Sequence, residues 1–180
     1  MIKKYFYPDI KYNNVLEIDI VKLKEKGIRY AILDIDNTLV PYTSPTPDEK
    51  ALEFLKRLEE NEIKFAFLSN NNHNRIDIFN KNIGAPALSN GAKPLLKGIR
   101  KIMREIDAKT HNTVMIGDQV FTDVCCGKRA GVYTVLVDPI IECTSLFFRF
   151  KRFFEKKIVL QYEKIQNKWG YIKWIILIHK

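Results

Sequence analysis

The spacing of apolar and polar positions changes repeatedly along this chain. Tyr30 to Leu33 is a short unbroken apolar run, the pattern of a strand covered on both faces of a parallel sheet. Ile63 to Leu68, Thr113 to Ile116 and Tyr133 to Val137 repeat it. Between these runs, apolar residues recur every three or four positions. Thr46-Pro47-Asp48-Glu49 predicts a helix start, with Thr46 as N-cap, Pro47 in the first turn and Glu49 closing a capping box. Leu52, Leu55 and Leu58 then form its inward stripe. A second helix is predicted from about Asn74 to Lys81, stopping before Gly84. A third opens at Lys93-Pro94 and carries Leu95, Ile99, Ile102 and Ile106. Before the first strand, Val15 to Lys26, closed by Gly27, reads as one further helix. Alternating strands and helices with short connections imply an α/β fold, its mostly parallel sheet covered on both faces.

Length and composition narrow the class. At 180 residues the chain supports one sizeable core rather than two ordinary domains. Its 46% hydrophobic and 28% charged residues suit a globular protein. No apolar run reaches the roughly 20 residues that cross a bilayer, because Lys173 breaks the longest one. The N-terminal residues lack a signal-peptide core, and Cys125, Cys126 and Cys143 show neither metal-ligand nor disulfide spacing. Both features predict reduced thiols in a cytoplasmic protein.

The net charge of +9 is uneven. Residues 1–144 hold 21 Lys and Arg against 19 Asp and Glu, whereas residues 145–180 hold 9 against 2. That tail also contains both tryptophans, Trp169 and Trp174, and five of the eleven phenylalanines. Two segments follow: a body, 1–144, and a basic aromatic tail, 145–180.

Candidate chemistry begins where the first buried run ends. Asp34 and Asp36 stand there with Thr38 following, and ligands of open α/β sheets bind beyond the carboxyl ends of strands. Two carboxylates so close are unfavourable without a compensating cation or anion-handling role. Ser69 follows the second strand, Lys93 precedes a helix, and Asp118 and Asp123 follow the strand that ends at Gly117. Taken singly, each has a plainer reading: Ser69 as a turn or cap residue, Lys93 as a solvated first-turn residue, Asp118 as a turn, Asp123 as an N-cap, Thr38 as a loop hydroxyl. Only Asp34 and Asp36, flanked by apolar residues, resist a structural account alone. His73 and His111 read as loop residues.

Jointly and in this order, Asp34-Ile-Asp36-Asn-Thr38, Ser69, Lys93-Pro94 and Gly117-Asp118-Gln-Val-Phe-Thr-Asp123 resemble the four motifs of the haloacid dehalogenase-like (HAD) phosphohydrolase superfamily. The resemblance implies a three-layer Rossmann-like sheet and a Mg²⁺-dependent phosphatase. Asp34 would be the nucleophile that forms an aspartyl-phosphate, and Asp36 the acid and base. Mg²⁺ would be held by Asp34, Asp118 and the Asp36 carbonyl, with Asp123 in the same acidic cluster. Lys93, Ser69 and Thr38 would serve the phosphoryl group and the loop, Thr38 by orienting Asp36. Asn70, with Asn71 and Asn72 behind it, would line the phosphate pocket.

The intervals from Asp36 to Ser69 and from Ser69 to Lys93 hold too few residues for a cap domain, which predicts an open site. The chain is similar to the capless subfamily IIIA. Tyr7-Pro-Asp-Ile, Leu23-Lys-Glu-Lys-Gly27 and Arg129-Ala-Gly131-Val resemble a bacterial branch related to phosphatidylglycerophosphate phosphatases. That implies hydrolysis of phosphatidylglycerophosphate in phospholipid synthesis. The alternatives are a soluble phosphatase for nucleotides, sugar phosphates or phosphoproteins, and a non-catalytic membrane- or RNA-associated scaffold. A phospho-receiver domain fits poorly, since its acidic pair is adjacent.

In the tail, Phe147, Phe150, Phe154, Ile158 and Ile165 share one helical face, while Lys151, Arg152, Lys156, Lys157 and Lys164 fall mostly elsewhere. Such a basic amphipathic helix suits an anionic membrane surface, on the inner face of the membrane. Packing of the phenylalanines on the body is the plainer reading, and RNA is a third partner that basic and aromatic residues suit.

Overall fold

The computed structural model of the protein describes residues 2–142 and 145–178. Two compact units divide the chain, Met1–Glu142 and Cys143–Lys180. In the first, six strands form one parallel sheet: β1 (Ile10–Tyr12), β2 (Tyr30–Leu33), β3 (Lys64–Leu68), β4 (Ala87–Leu88), β5 (Thr113–Gly117) and β6 (Tyr133–Val137). Their order is β1-β6-β5-β2-β3-β4, so β2 lies between β5 and β3. The helices are α1 (Ile2–Phe6), α2 (Ile20–Glu25), α3 (Glu49–Glu60), α4 (His73–Asn80), α5 (Leu96–Glu105) and α6 (Cys125–Ala130). This is the Rossmann-like α/β architecture that the sequence implies, and the intervals noted above hold only α3 with β3 and α4 with β4.

Strand side chains alternate between the faces. Ala31, Leu33, Phe65, Phe67, Val114 and Ile116 join Phe54, Leu58, Ile20, Leu23, Ile76 and Phe79 in one core. Ile32, Ala66, Leu68 and Met115 turn to the other face, against Ile99, Ile102 and Met103 of α5 and Cys126 of α6. Both faces of the central strands are therefore dry, and the polar ends of those strands become the accessible part.

Capping residues shift several predicted boundaries. Val15 to Lys26 is not one helix. The Asn14 side chain accepts from the Leu16 and Glu17 amides and closes a short 3₁₀ turn, Val15–Glu17, while Asp19 accepts from the Lys22 amide and starts α2. Two caps five positions apart break the run. At α3 the cap is Asp48, whose carboxylate accepts from the Ala51 amide at 2.8 Å, rather than Thr46. The buried stripe is Ala51, Phe54, Leu55 and Leu58, the i, i+3, i+4, i+7 set, and Leu52 is 47% exposed. Leu95 likewise stays outside α5 and is exposed. Inside α5, a Cβ on Gly98 would stand 2.1 Å from the Gly91 carbonyl oxygen, so the helix lies directly on that loop.

The apolar pattern did not reveal α1 or β1. Three half-buried residues are too few for a strand signal, and β1 is secured instead by one carboxylate. Asp9 Oδ2 accepts from the Thr134 amide and hydroxyl, both at 2.8 Å, and Lys128 Nζ lies 2.5 Å from Asp9 Oδ1.

The second unit is a single helix, α7 (Leu146–Ile178). Within it the Phe150 and Phe153 rings each meet the Phe154 ring edge-on, at 4.9 and 5.5 Å between centroids. Lys157 Nζ stands 4.2 Å from the Phe153 centroid, so cation and aromatics are interleaved there rather than kept apart. The side chains of Phe147, Trp169 and Trp174, and all of Cys143, lie outside the described residues. Among the described residues, no helix is long and apolar enough to cross a membrane.

Candidate active site

β2 carries Asp34 to the middle of the sheet. Its amide still donates to the Ile116 carbonyl of β5 at 2.9 Å, so the ladder continues one residue past the strand and fixes where the carboxylate emerges. Asn37 then adopts a left-handed turn (φ 64), a conformation that asparagine tolerates better than most residues. Its amide donates to the Val40 carbonyl at 2.7 Å, and its side chain donates to the Ile141 carbonyl at 3.0 Å. The loops after β2 and β6 are thereby laced together. The folded loop brings the Thr38 hydroxyl back to donate to Asp34 Oδ2 at 3.1 Å. Thr38 thus orients Asp34, not Asp36 as expected.

The loop after β4 delivers Lys93. The Gly91 amide donates to the Ser69 carbonyl, and the Asn90 amide to the Asn71 carbonyl, each at 2.8 Å. Asn70 completes the splice: its Nδ2 donates to the Lys93 carbonyl (2.9 Å), and its Oδ1 accepts from the Lys93 amide (2.7 Å). One donor and one acceptor of that amide group bond to the Lys93 backbone, so Asn70 fastens the Lys93 loop to the end of β3. Lys93 is buried, and its ammonium stands 2.5 Å from Asp34 Oδ1 and 2.7 Å from Asp123 Oδ1.

Asp118 follows β5 directly, and Asp123 returns to the same place through a π-helical turn, Val120–Val124. Asp123 Oδ2 accepts from the Gln119 amide at 3.1 Å. The carboxylate lies flat over Gly117, where a Cβ would stand 2.3 Å from Asp123 Cγ. Glycine is required at that position by contact rather than by its own backbone angles.

Asp34, Asp118 and Asp123 are all buried, and each offers a ligand atom within 4.8 Å of the others. The Lys93 ammonium contacts two of these three buried carboxyl groups, Asp34 and Asp123. Burial pushes the Asp34 carboxyl up to about 8; Lys93 opposes this, and the Asp123 and Asp118 charges add to it. Burial alone would lower Lys93, but the Asp123 and Asp34 carboxylates outweigh it and raise the ammonium above its usual value. Buried carboxyl groups held this close are costly to ionise together without a further cation. A hard divalent cation fits both the charge and the oxygen-only donors, so this trio could hold a metal.

The Asp36 carboxylate stands outside the trio. Arg75 Nε and Nη2 donate to its Oδ1 at 3.1 and 2.8 Å, and Asn71 Nδ2 donates to Oδ2 at 3.2 Å. Asn71 in turn donates its amide to Ser69 Oγ at 3.0 Å. Ser69 is buried, and its hydroxyl can donate as well as accept. Asp34, Thr38, Lys93, Asp118 and Asp123 therefore converge, with Ser69, Asn71 and Asp36 forming a bonded chain of their own.

Neither histidine joins this group. His73 is exposed at the start of α4 near Asp77, rather than in a loop, and His111 lies in the turn Thr110–Asn112 before β5, at the opposite end of the strand from Asp118. Cys125 and Cys126 are buried free thiols, and burial pushes Cys126 up to about 12. Two structural contributors escaped sequence reasoning. Asn37 carried only its tolerance for a left-handed turn, and Arg75 had no signal beyond being a cation in the first turn after an asparagine cap.

A family model for haloacid dehalogenase-like hydrolases matches residues 10–131. The "Probable phosphatase YqeG" of Bacillus subtilis (strain 168) is 35% identical over 174 residues, covering 97% of this chain and 99% of that protein. Arabidopsis thaliana "Phosphatidylglycerophosphate phosphatase 1, chloroplastic/mitochondrial" is 26% identical over 154 residues, 81% of this chain but only 44% of that protein. A HAD-superfamily hydrolase from Ehrlichia chaffeensis has the same fold, with a TM-score of 0.52 at 15% identity, covering 74% of this chain and 98% of that one. On the motif order, the sheet and the extent of these matches, the chain belongs to the haloacid dehalogenase-like hydrolases.

Proposed function

We propose that this hydrolase is a Mg²⁺-dependent phosphatase that cleaves phosphomonoesters through an aspartyl-phosphate on Asp34. The observation that carries the reading is the buried meeting of Asp34, Asp118 and Asp123, two of which, Asp34 and Asp123, contact the Lys93 ammonium. Asp34, Asp118 and the Asp36 main-chain carbonyl would hold the cation, with Asp123 supporting it directly or through water. When bound, the cation would offset the surplus negative charge and polarise the phosphoryl oxygens.

The chain's own groups perform the rest. Asp34 attacks phosphorus opposite the leaving oxygen, its carboxylate steered by the Thr38 hydroxyl. Lys93 supplies a fixed positive charge, and the Ser69 hydroxyl donates to a phosphoryl oxygen, with Asn70 holding the Lys93 loop beside them. Asp36 gives a proton to the leaving oxygen and later takes one from the water that hydrolyses the aspartyl-phosphate.

The substrate we favour is phosphatidylglycerophosphate. The missing cap leaves room for a large or surface-bound ester, and one relative of this chain bears that activity in its name. The Phe150, Phe153, Phe154 and Lys157 cluster supplies both apolar and cationic contacts for an anionic lipid surface.

A panel of phosphatidylglycerophosphate vesicles, a nucleotide, a sugar phosphate and a phosphopeptide, each with and without Mg²⁺, tests the reading. Turnover that needs Mg²⁺, vanishes in Asp34→Asn and prefers the lipid by tenfold or more is the expected result. Preference for a soluble ester would end the lipid assignment, and no metal-dependent turnover on any ester would end the phosphatase assignment.

A further inference from the structure

We infer that Arg75 is a positioning residue for the phosphatase reaction, holding the Asp36 carboxylate so that one lone pair of Oδ2 is left to exchange the proton. This rests on the reading of Asp36 as the acid and base. An ionised carboxylate offers about four lone-pair positions. Arg75 fills both on Oδ1 with Nε and Nη2, and Asn71 fills one on Oδ2. The remaining position belongs to the oxygen that Asn71 ties to the Ser69 segment.

Arg75 is itself held on every side. Its third nitrogen, Nη1, donates to the Pro45 carbonyl at 2.8 Å, and its backbone amide donates to the Asn72 cap at 3.0 Å. The guanidinium carbon lies 5.6 Å from the centre of the Phe79 ring, which meets Phe67 of β3 edge-on at 5.4 Å. The side chains of Arg75 and Asp36 are only 13% and 19% exposed. Two guanidinium donors on Oδ1, with Asn71 on Oδ2, hold the carboxylate through both of its oxygens, which a single ammonium would not do. Asp36 is thereby kept apart from the trio and aimed rather than left to swing in solvent.

The role separates from ordinary structural damage through the leaving group. 4-Nitrophenyl phosphate releases a phenolate that departs largely unaided, whereas an alkyl phosphate such as glycerol 3-phosphate needs its leaving oxygen protonated. In full-length protein with Mg²⁺, Arg75→Ala should lower the ratio of kcat/KM for the alkyl ester to that for the aryl ester by about tenfold or more. Arg75→Lys should recover only part of that ratio, and Asn71→Ala should lower it by a smaller factor. Asp36→Asn is the reference variant. If it lowers the ratio and Arg75→Ala does not, the role of Arg75 is overturned while the phosphatase reading stands. If Asp36→Asn itself leaves the ratio unaltered, the assignment of Asp36 falls and the role of Arg75 falls with it. Calorimetric titration with Mg²⁺ supplies a readout independent of turnover. Affinity should move less than threefold in Arg75→Ala, and a tenfold loss would mark Arg75 as a scaffold for the whole loop and overturn the proposal.

Discussion

Lys93 Nζ stands 2.5 Å from Asp34 Oδ1, with both side chains almost wholly removed from solvent. Removing one partner of such a pair leaves an uncompensated buried charge, which typically costs about 3–5 kcal/mol. Lys93→Met should therefore melt well below the parent without metal, and Mg²⁺ should restore much of the difference, as scanning calorimetry would show. Turnover should fall at least a hundredfold, as for the loss of one preorganised charge donor.

The raised Asp34 carboxyl makes metal-free stability depend on pH. Between about pH 4 and 8 the folded protein binds a proton at Asp34 that the unfolded chain has released. The contribution is thus full below about pH 4 and declines as pH climbs to about 8. Asp34→Asn, which has no proton to lose, should show a flatter Tm–pH profile over that range. Mg²⁺ at a hundred times its Kd adds about 2.7 kcal/mol. Its Tm increment should be larger at pH 8 than at pH 5, where protons compete for the same oxygen.

Gly117 is defined by what lies against it. Gly117→Ala would drive a methyl group into the Asp123 carboxylate, which cannot retreat without leaving Lys93 and the Gln119 amide. We expect Mg²⁺ affinity to fall about tenfold or more, as for lost supports of metal ligands elsewhere. Titration calorimetry with the intact chain would measure it, and unchanged affinity would remove Asp123 from the cation site.

The two candidate caps of α3 can be told apart by substitution. Asp48→Ala should cost about 1 kcal/mol because the Ala51 amide loses its acceptor. Thr46→Ala should change denaturant stability by less than about 0.5 kcal/mol, within the range of ordinary surface substitutions.

The strands that carry the site were legible because they are buried on both faces, so their apolar runs stand out against their surroundings. β2 and β6 appear at the predicted residues, Asp34, Asp118 and Asp123 come within 4.8 Å of one another, and Lys93 contacts Asp34 and Asp123. Helix starts were harder to read. At Thr46-Pro47-Asp48-Glu49 two side chains offer to cap, and it is Asp48 that takes the Ala51 amide. β1 is defined by its pairing with β6, which no local pattern announces. Arg75 was hidden for a different reason: its significance depends on α4 delivering it across to Asp36, and the two are 39 positions apart in sequence.

The arrangement of the sheet has a consequence for how the protein is made. β1 is synthesised first, yet its neighbour β6 comes last, and Asp9 and Thr134 are 125 positions apart. At ordinary translation rates of about 5–20 residues per second, the opening segment waits on the order of ten seconds for its partner. During that interval the segment that becomes β1 has no strand to pair with, and its edge of the sheet closes only when β6 emerges.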